Sequence, residues 1–233
     1  MIWKFLLAGI IGGVCYLDRT AACQLMLHRP IVVATLMGGI FGNFSAGAQV
    51  GIVLELIYLV HLPVGASLPP DDTGAAVFAG SAAAFASRDA VVDGGCFAIL
   101  IMLSVLCAEL GKCSDALVRK INGRIARIAR NAVERGDIKA VEQSLLAGLT
   151  LFGITGILLA LLFSVSGVVA SSLLLPLIGA DMYFDLGALA LVVLPLLGAA
   201  SVFACGRTEK TAWLFFLAMS TTFAMTLIVR WTI

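Results

Sequence analysis

The sequence has little charge and few groups suited to catalysis. Only 12% of its 233 residues are charged, two are histidine, and the formal net charge is +1. It contains no GxSxG, HExxH, P-loop or dinucleotide-binding motif, so we expect no catalytic residue, no cofactor and no enzyme activity of its own. Its six cysteines include no CxxC pair, which predicts neither a disulfide framework nor a metal site. The one basic segment lacks interleaved aromatic residues, so we expect no nucleic-acid binding.

What the sequence has in abundance is apolar residues. They make up 61% of the chain, and the mean hydropathy is +1.08, whereas soluble domains are about 45–50% apolar. A helix needs roughly 20 apolar residues to cross a hydrocarbon core about 30 Å thick, and several windows qualify. We therefore predict an all-α, polytopic membrane protein, with residues 1–233 forming a single membrane domain.

The N-terminal half, residues 1–111, is expected to contain short and broken helices. Residues 5–17 and 30–42 are apolar but short, which suggests tilted spans or half-helices. The first of these looks like a signal peptide but has no cleavage site, so we interpret it as a span. Small residues dominate 74–86, which predicts packing against protein rather than lipid.

The apolar region 47–62 carries two polar side chains, Gln49 and Glu55, and runs into a proline-rich break, HLPVGASLPPDD. Irregular backbone at membrane depth persists only where protein or a water-filled cavity surrounds it. This break therefore predicts a re-entrant hairpin.

Residues 94–110 form a clear span, after which the chain becomes polar at Lys112. The segment 112–144 holds eight of the fifteen Lys and Arg residues against four acidic residues, so the positive-inside rule places it in the cytoplasm. Its apolar residues repeat with helical spacing and stop near Gly136, which predicts a cytoplasmic amphipathic helix. It is either an interfacial helix held by anionic lipid or a docking arm for a soluble partner or sister subunit.

The C-terminal helices, residues 145–233, are expected to include three full spans and one shorter piece interrupted by Pro176, which is interpreted as another half-helix. The spans are 145–163, 186–204 and 211–229, and the shorter piece is 166–179. One broken segment in each half of the chain is typical of secondary transporters.

Glu55 is the clearest candidate for a binding residue, because an ionisable group at membrane depth costs roughly 2.5–3.5 kcal/mol on insertion scales. It must be protonated, face a polar cavity, or meet a partner from another segment. Asp71 either binds hydroxyl groups of a ligand or caps the helix that begins near Thr73, and for Asp72 capping is favoured.

Four other charged residues lie near predicted helix ends. His28 and Arg29 lie at the mouth of the second apolar segment, where Arg29 is expected to extend to the membrane interface. Asp18 and Arg19 are expected to form a local pair at the end of the first helix.

Residues 28–72 resemble the IIC subunit of the mannose/fructose/sorbose family of the phosphoenolpyruvate-dependent sugar phosphotransferase system (PTS). The matching elements occur in order: an RP pair that opens a helix, a G-x-x-x-G turn at Gly38 and Gly42, a glycine-led segment from Gly51 to Glu55, then PVGA and PPD. Where the family usually reads G-D, this chain reads Gly42 followed by Asn43, which keeps a polar cap but loses a charge.

The resemblance implies a multi-pass carrier of the bacterial inner, or cytoplasmic, membrane that works with a IID membrane subunit. Soluble IIA and IIB proteins would relay phosphate to the sugar, and the phosphoryl chemistry would lie on IIB. The carrier would move its sugar by an elevator-like displacement, contact membrane lipids and form a higher oligomer.

The resemblance also implies a set of sugar-binding residues. Glu55 and Asp71 match acidic positions near the family's sugar site, and His28 matches a polar position before the RP pair. Gln49 is added as a neighbouring polar group. Two alternatives stay open: a IIC-like regulatory or scaffold membrane protein without transport, and an unrelated small-molecule secondary transporter that needs no IID partner.

Overall fold

The computed structural model describes residues 1–59, 68–87 and 94–174. Within these ranges the regular structure is helical and contains no strand, which confirms the all-α prediction for the described part of the chain. The helices are α1 (Ile2–Thr20), α2 (Pro30–Phe41), α3 (Phe44–Tyr58), α4 (Asp72–Ala86), α5 (Gly94–Glu134) and α6 (Ile138–Leu174).

Two parts of the predicted architecture lie outside the described residues. The first is the pair of spans predicted at 186–204 and 211–229. The second is most of the proline-rich break on which the prediction of a re-entrant hairpin depends.

Helices α2 and α3 form a tight antiparallel hairpin. Gly42 ends α2 with φ of +115°, a left-handed conformation that glycine adopts without steric cost. Asn43 then caps α3, because its side chain accepts the N–H of Ala46 at 3.1 Å. A Cβ added at Gly38 would lie 2.9 Å from the Cα of Gly47, so the two backbones touch. The turn and the polar cap predicted here are therefore confirmed.

Helix α4 lies inside the bundle. Its residues from 73 to 84 are all buried, which confirms that this small-residue segment packs against protein. At Gly80 an added Cβ would lie 2.6 Å from the carbonyl oxygen of Ala34 on α2. On the other side of the bundle, Gly12 and Gly13 of α1 lie directly against Ala160 and Ile157 of α6.

Helix α5 is one continuous helix of 41 residues, about 60 Å long at 1.5 Å per residue. The span predicted at 94–110 and the helix predicted within 112–144 are therefore parts of one continuous helix. Sequence polarity changes at Lys112, but no proline interrupts the backbone hydrogen bonds, so the helix continues. It ends at Glu134, and Gly136 follows with φ of +72°, as the predicted stop near Gly136 requires.

Helix α6 is likewise continuous over 37 residues. The segments predicted as 145–163 and 166–179 belong to one helix as far as Leu174, and the remainder of the second lies outside the described residues. Ser166 and Gly167 do not break the helix. Instead, the missing side chain of Gly167 lets α6 approach the carbonyl oxygen of Phe78 on α4.

Both α5 and α6 are long and apolar enough to cross a membrane. The outward faces of the helices are also apolar: Trp3, Ile10, Leu106, Ile154 and Leu162 are each more than half exposed. Such faces are costly in water but match a hydrocarbon environment.

Candidate functional site

Buried and half-buried charges are concentrated in one layer, where α1 and α3 end and α2 and α4 begin. We call this set the polar layer; its members are Asp18, Arg19, His28, Arg29, Glu55, Asp71 and Asp72.

Asp71 is the most buried of these groups, with 1% of its side chain exposed. It is the N-cap of α4 and accepts the N–H of Gly74 at 3.0 Å. Its carboxylate also accepts the hydroxyl of Tyr16 at 2.5 Å and a guanidinium N–H of Arg19 at 2.7 Å. Its own backbone N–H donates to the carbonyl of Ala108 on α5 at 3.0 Å. One residue thus joins α1, α4 and α5.

Arg19 holds the segment before α4 through further contacts. It donates to the carbonyl of Pro70 at 2.9 Å, and its Nε lies 3.4 Å from Asp72. The predicted local pair of Asp18 with Arg19 is therefore wrong, because consecutive helical residues point about 100° apart. The predicted cap at Asp72 is also wrong: Asp71 is the cap, and Asp72 is the first residue of α4.

Asp18 organises the loop between α1 and α2. It accepts the backbone N–H groups of Leu25 at 2.5 Å and Leu27 at 2.7 Å, and it lies 3.1 Å from Nδ1 of His28. Such hydrogen bonds offset the cost of a tight loop that contains three non-glycine residues with positive φ, namely Cys23, Gln24 and Met26. Thr73 at the start of α4 donates to the carbonyl of His28 at 3.2 Å, which ties this loop to Asp71's helix.

Glu55 meets a partner from another segment, which is the third of the alternatives considered for it. Its carboxylate lies 3.4 Å from Nη1 of Arg29 and accepts the N–H of Ile31 at 3.3 Å. That N–H belongs to the first turn of α2, where no intrahelical acceptor exists. Arg29 therefore contacts Glu55 instead of simply extending to the interface.

The sequence contained a usable signal for this pair that we missed. Arg29 and Glu55 lie at nearly equal distances from the turn at Gly42 and Asn43, as partners in an antiparallel hairpin must.

The structure brings Glu55, Asp71 and His28 to the polar layer but leaves Gln49 outside it. Gln49 lies on α3 with an exposed side chain, almost two turns before Glu55. Within the described ranges, no three His, Cys, Asp or Glu residues are grouped as metal ligands would be.

A cavity of about 20 Å³ adjoins Asp71, and its walls include Tyr16, Arg19, Asp115 and Thr155. This volume suits about one water molecule. In this conformation the carboxylate of Asp71 is committed to protein partners and has no room beside it for a larger ligand.

Comparison with known proteins identifies a family. A family model described as the PTS system sorbose-specific IIC component matches residues 2–232. The mannose-specific EIIC component of Escherichia coli K12 is 26% identical over 142 residues, which are 61% of this chain and 49% of that protein. The fructose permease IIC component of Bacillus subtilis is 29% identical over 142 residues, with 61% and 48% covered. The chain thus spans about half the length of these curated relatives.

Solved structures share the fold. One described as a membrane protein has a TM-score of 0.73 at 18% identity and covers 100% of this chain and 96% of its own. A cryo-EM structure of the mannose transporter ManYZ with microcin E492 has a TM-score of 0.62 at 20% identity, covering 100% and 92%.

Proposed function

The chain belongs to the sorbose-specific IIC family of the PTS, and from that premise we propose that it is the membrane subunit that binds and translocates a sugar. It is a membrane protein; we further propose that it is a multi-pass protein of the bacterial inner membrane, with the polar half of α5 in the cytoplasm. The family match over residues 2–232 carries the proposal. The polar layer supports it, because ionisable groups clustered among the helices of a membrane protein are candidates for a functional site.

Glu55 is proposed as the main sugar ligand. Its side chain is 19% exposed and that of its partner Arg29 is 29% exposed, so both remain within reach of a solute. A carboxylate and a guanidinium side by side offer an acceptor and several donors, which suits sugar hydroxyl groups. His28, 23% exposed on the same layer, would add a further donor or acceptor.

Asp71 is proposed as a ligand that acts only after Arg19 and Tyr16 release it, because in this conformation it is enclosed by them. Gln49 is exposed on α3 and would reach a sugar only at a surface shared with a companion subunit. We therefore expect substitution of Gln49 to have the smallest effect among the four residues.

The proposed partners are a IID membrane subunit, together with IIB and IIA proteins that supply phosphate from outside this chain. A IID companion is supported by the likeness to a transporter solved as a complex, ManYZ. The exposed apolar faces are proposed to contact lipid and sister subunits in a higher oligomer.

Sugar uptake tests the proposal. The chain is co-expressed with its IID, IIB and IIA proteins in cells that lack a mannose-type carrier, and uptake and phosphorylation of labelled sugars are measured. Glu55→Gln should abolish both, and Asp71→Asn should reduce both. Glu134→Gln is the matched control, because Glu134 is 68% exposed at the far end of α5.

Full uptake in both Glu55→Gln and Asp71→Asn would overturn the site assignment. Failure of the intact system to take up any sugar, with altered gene expression on deletion, would instead support the regulatory or scaffold hypothesis. The family match favours neither that hypothesis nor an unrelated secondary transporter.

A further inference from the structure

Two cavities in the described part of the molecule lie next to each other. The first is the 20 Å³ cavity beside Asp71, which we call the chamber. The second, which we call the groove, is an open cleft of about 690 Å³ between α5, α6 and the end of α1. Thr20 and Phe152 line both, so these two residues lie where the groove meets the chamber.

The walls of the two cavities differ in chemistry. The chamber is lined by hydroxyl and charged groups, including Tyr16, Arg19, Asp71, Asp115 and Thr155. The groove is lined mainly by aliphatic side chains, and its polar members are Thr20, Asn122, Glu142 and Ser144. The chamber therefore has the higher proportion of charged and hydroxyl residues in its lining, and the groove has the higher proportion of aliphatic ones.

We propose that the groove and the chamber are the outer and inner parts of one gated route to Asp71, and that Phe152 is its gate. In the present state the chamber has room for about one water molecule, so it admits no larger solute. Displacement of the Phe152 ring would join the two volumes. The solute, a small neutral molecule rich in hydroxyl groups, rests on the proposed function; the route itself does not.

The position of Phe152 makes it suited to this role. Its side chain is half-buried, so it has protein on one side and open space on the other. Opposite it, Thr20 is the last residue of α1, where the helix stops covering the cleft. At the inner end, Arg19 and Tyr16 hold Asp71. A solute that enters the chamber past the ring would therefore contact the Asp71 carboxylate only after the ion pair opens.

Cysteine labelling tests the route without any sugar. The six native cysteines are replaced by alanine, and Thr155→Cys places a reporter in the chamber wall. Ser164→Cys, on the same helix and fully buried away from both cavities, is the control reporter. The rate of modification by methyl methanethiosulfonate, a small neutral reagent, is measured in membranes from cells that express the full chain with its companion proteins.

Removal of the ring by Phe152→Ala should raise the labelling rate at residue 155 by about tenfold or more, as expected when local closure is lost, and leave residue 164 unchanged. Phe152→Leu should give an intermediate rate, and it keeps the comparison available if the alanine variant folds poorly. An unchanged rate at 155 in both variants would overturn the proposal. So would an equal rise at 155 and 164, since that indicates general loosening.

The outcome is separable from that of the proposed function. Suppose that Phe152→Ala raises the labelling rate at residue 155 but the intact chain takes up no sugar. The proposed route would then stand, and the proposed transport role would be rejected. Normal sugar uptake with no change in the labelling rate at residue 155 would support the transport role and reject the route.

Discussion

The bundle of α1–α4 and the arm, which we define as residues 112–144, are stabilised in different ways. In the bundle, glycine and alanine let backbones touch, as Gly80 does against Ala34, and ion pairs are buried. In the arm, Gly123 and Gly136 have nothing within 4 Å of an added Cβ, and the ion pair between Arg130 and Glu134 is largely exposed.

The same type of substitution is therefore expected to have different effects on stability in the two regions. Close packing leaves no room for an added atom and makes an unpaired charge expensive. An exposed helix is governed instead by backbone propensity and by charges that water and salt screen. Matched substitutions in the two regions therefore test this difference directly.

The largest contrast is expected for ion pairs. Arg19→Met leaves the buried carboxylate of Asp71 without its cation, which should cost about 3–5 kcal/mol of stability. The melting midpoint in mild detergent, followed by fluorescence-detected size exclusion, should fall sharply. Arg130→Met removes the corresponding charge from the arm pair, 82% and 68% exposed, and should change stability by less than about 1 kcal/mol.

The double variant Arg19→Met/Asp71→Asn separates charge from packing. It should recover much of the stability lost in Arg19→Met, because the uncompensated charge is removed. No recovery would mean that the Arg19 side chain acts mainly by filling space.

A smaller contrast is expected for glycine. In Gly80→Ala the added methyl would lie 2.6 Å from the Ala34 carbonyl oxygen, and such overpacking costs about 1–3 kcal/mol. Gly123→Ala on the arm meets nothing and should stabilise the helix by about 0.5–1 kcal/mol. Equal melting temperatures for the two variants would contradict the close helix approach described for α2 and α4.

Helix caps should show the next contrast. Asn43→Ala removes the acceptor for Ala46 and also the donor to Ser87 Oγ at 2.9 Å, so we expect a loss of about 2 kcal/mol. Asp137→Ala removes only the cap on the N–H of Ala140, with an expected loss of about 1 kcal/mol. Equal losses from the two variants, again measured by melting, would show that the bond to Ser87 contributes nothing.

The smallest effect tests whether every exposed glycine of the arm tolerates substitution by alanine. Gly136 has φ of +72°, which an L side chain adopts at a cost of about 1 kcal/mol. Gly136→Ala should lower stability by that amount although it touches nothing, while Gly136→Asn should be milder because asparagine tolerates this conformation. A neutral Gly136→Ala would show that the turn between α5 and α6 relaxes.

In the bundle, the positions of the helices could be predicted from the sequence, but the partners of the buried side chains could not. Local signals define α2 and α3: Pro30 opens one helix, Gly42 ends it and Asn43 caps the next. The small-residue composition of α4 predicted its burial.

Partners across the bundle depend on how helices face one another, which no local pattern records. Asp18 and Arg19 are adjacent in sequence, yet one holds a loop and the other holds α4. The cap predicted at Asp72 lies instead at Asp71, for which capping was one of two alternatives. Either residue fits the sequence pattern, and only the helix register decides.

In the arm, the change in polarity at Lys112 predicts a change of environment and does not coincide with a helix end. Polarity sets the environment of a helix and not its continuity. Without a proline, the backbone hydrogen bonds of α5 run on through the change.

Because α5 is one continuous helix, a small tilt near its middle displaces its C-terminal end by a larger distance. Gly111, which lies against the carboxylate of Asp71, and Glu134 at the tip belong to one helix, about 35 Å apart at 1.5 Å per residue. A tilt of about 5° around Gly111 would therefore carry the tip through about 3 Å, by the same helical rise. A probe at the tip can consequently report small rotations next to Asp71, in a place where labels are easily attached and the bundle is left untouched.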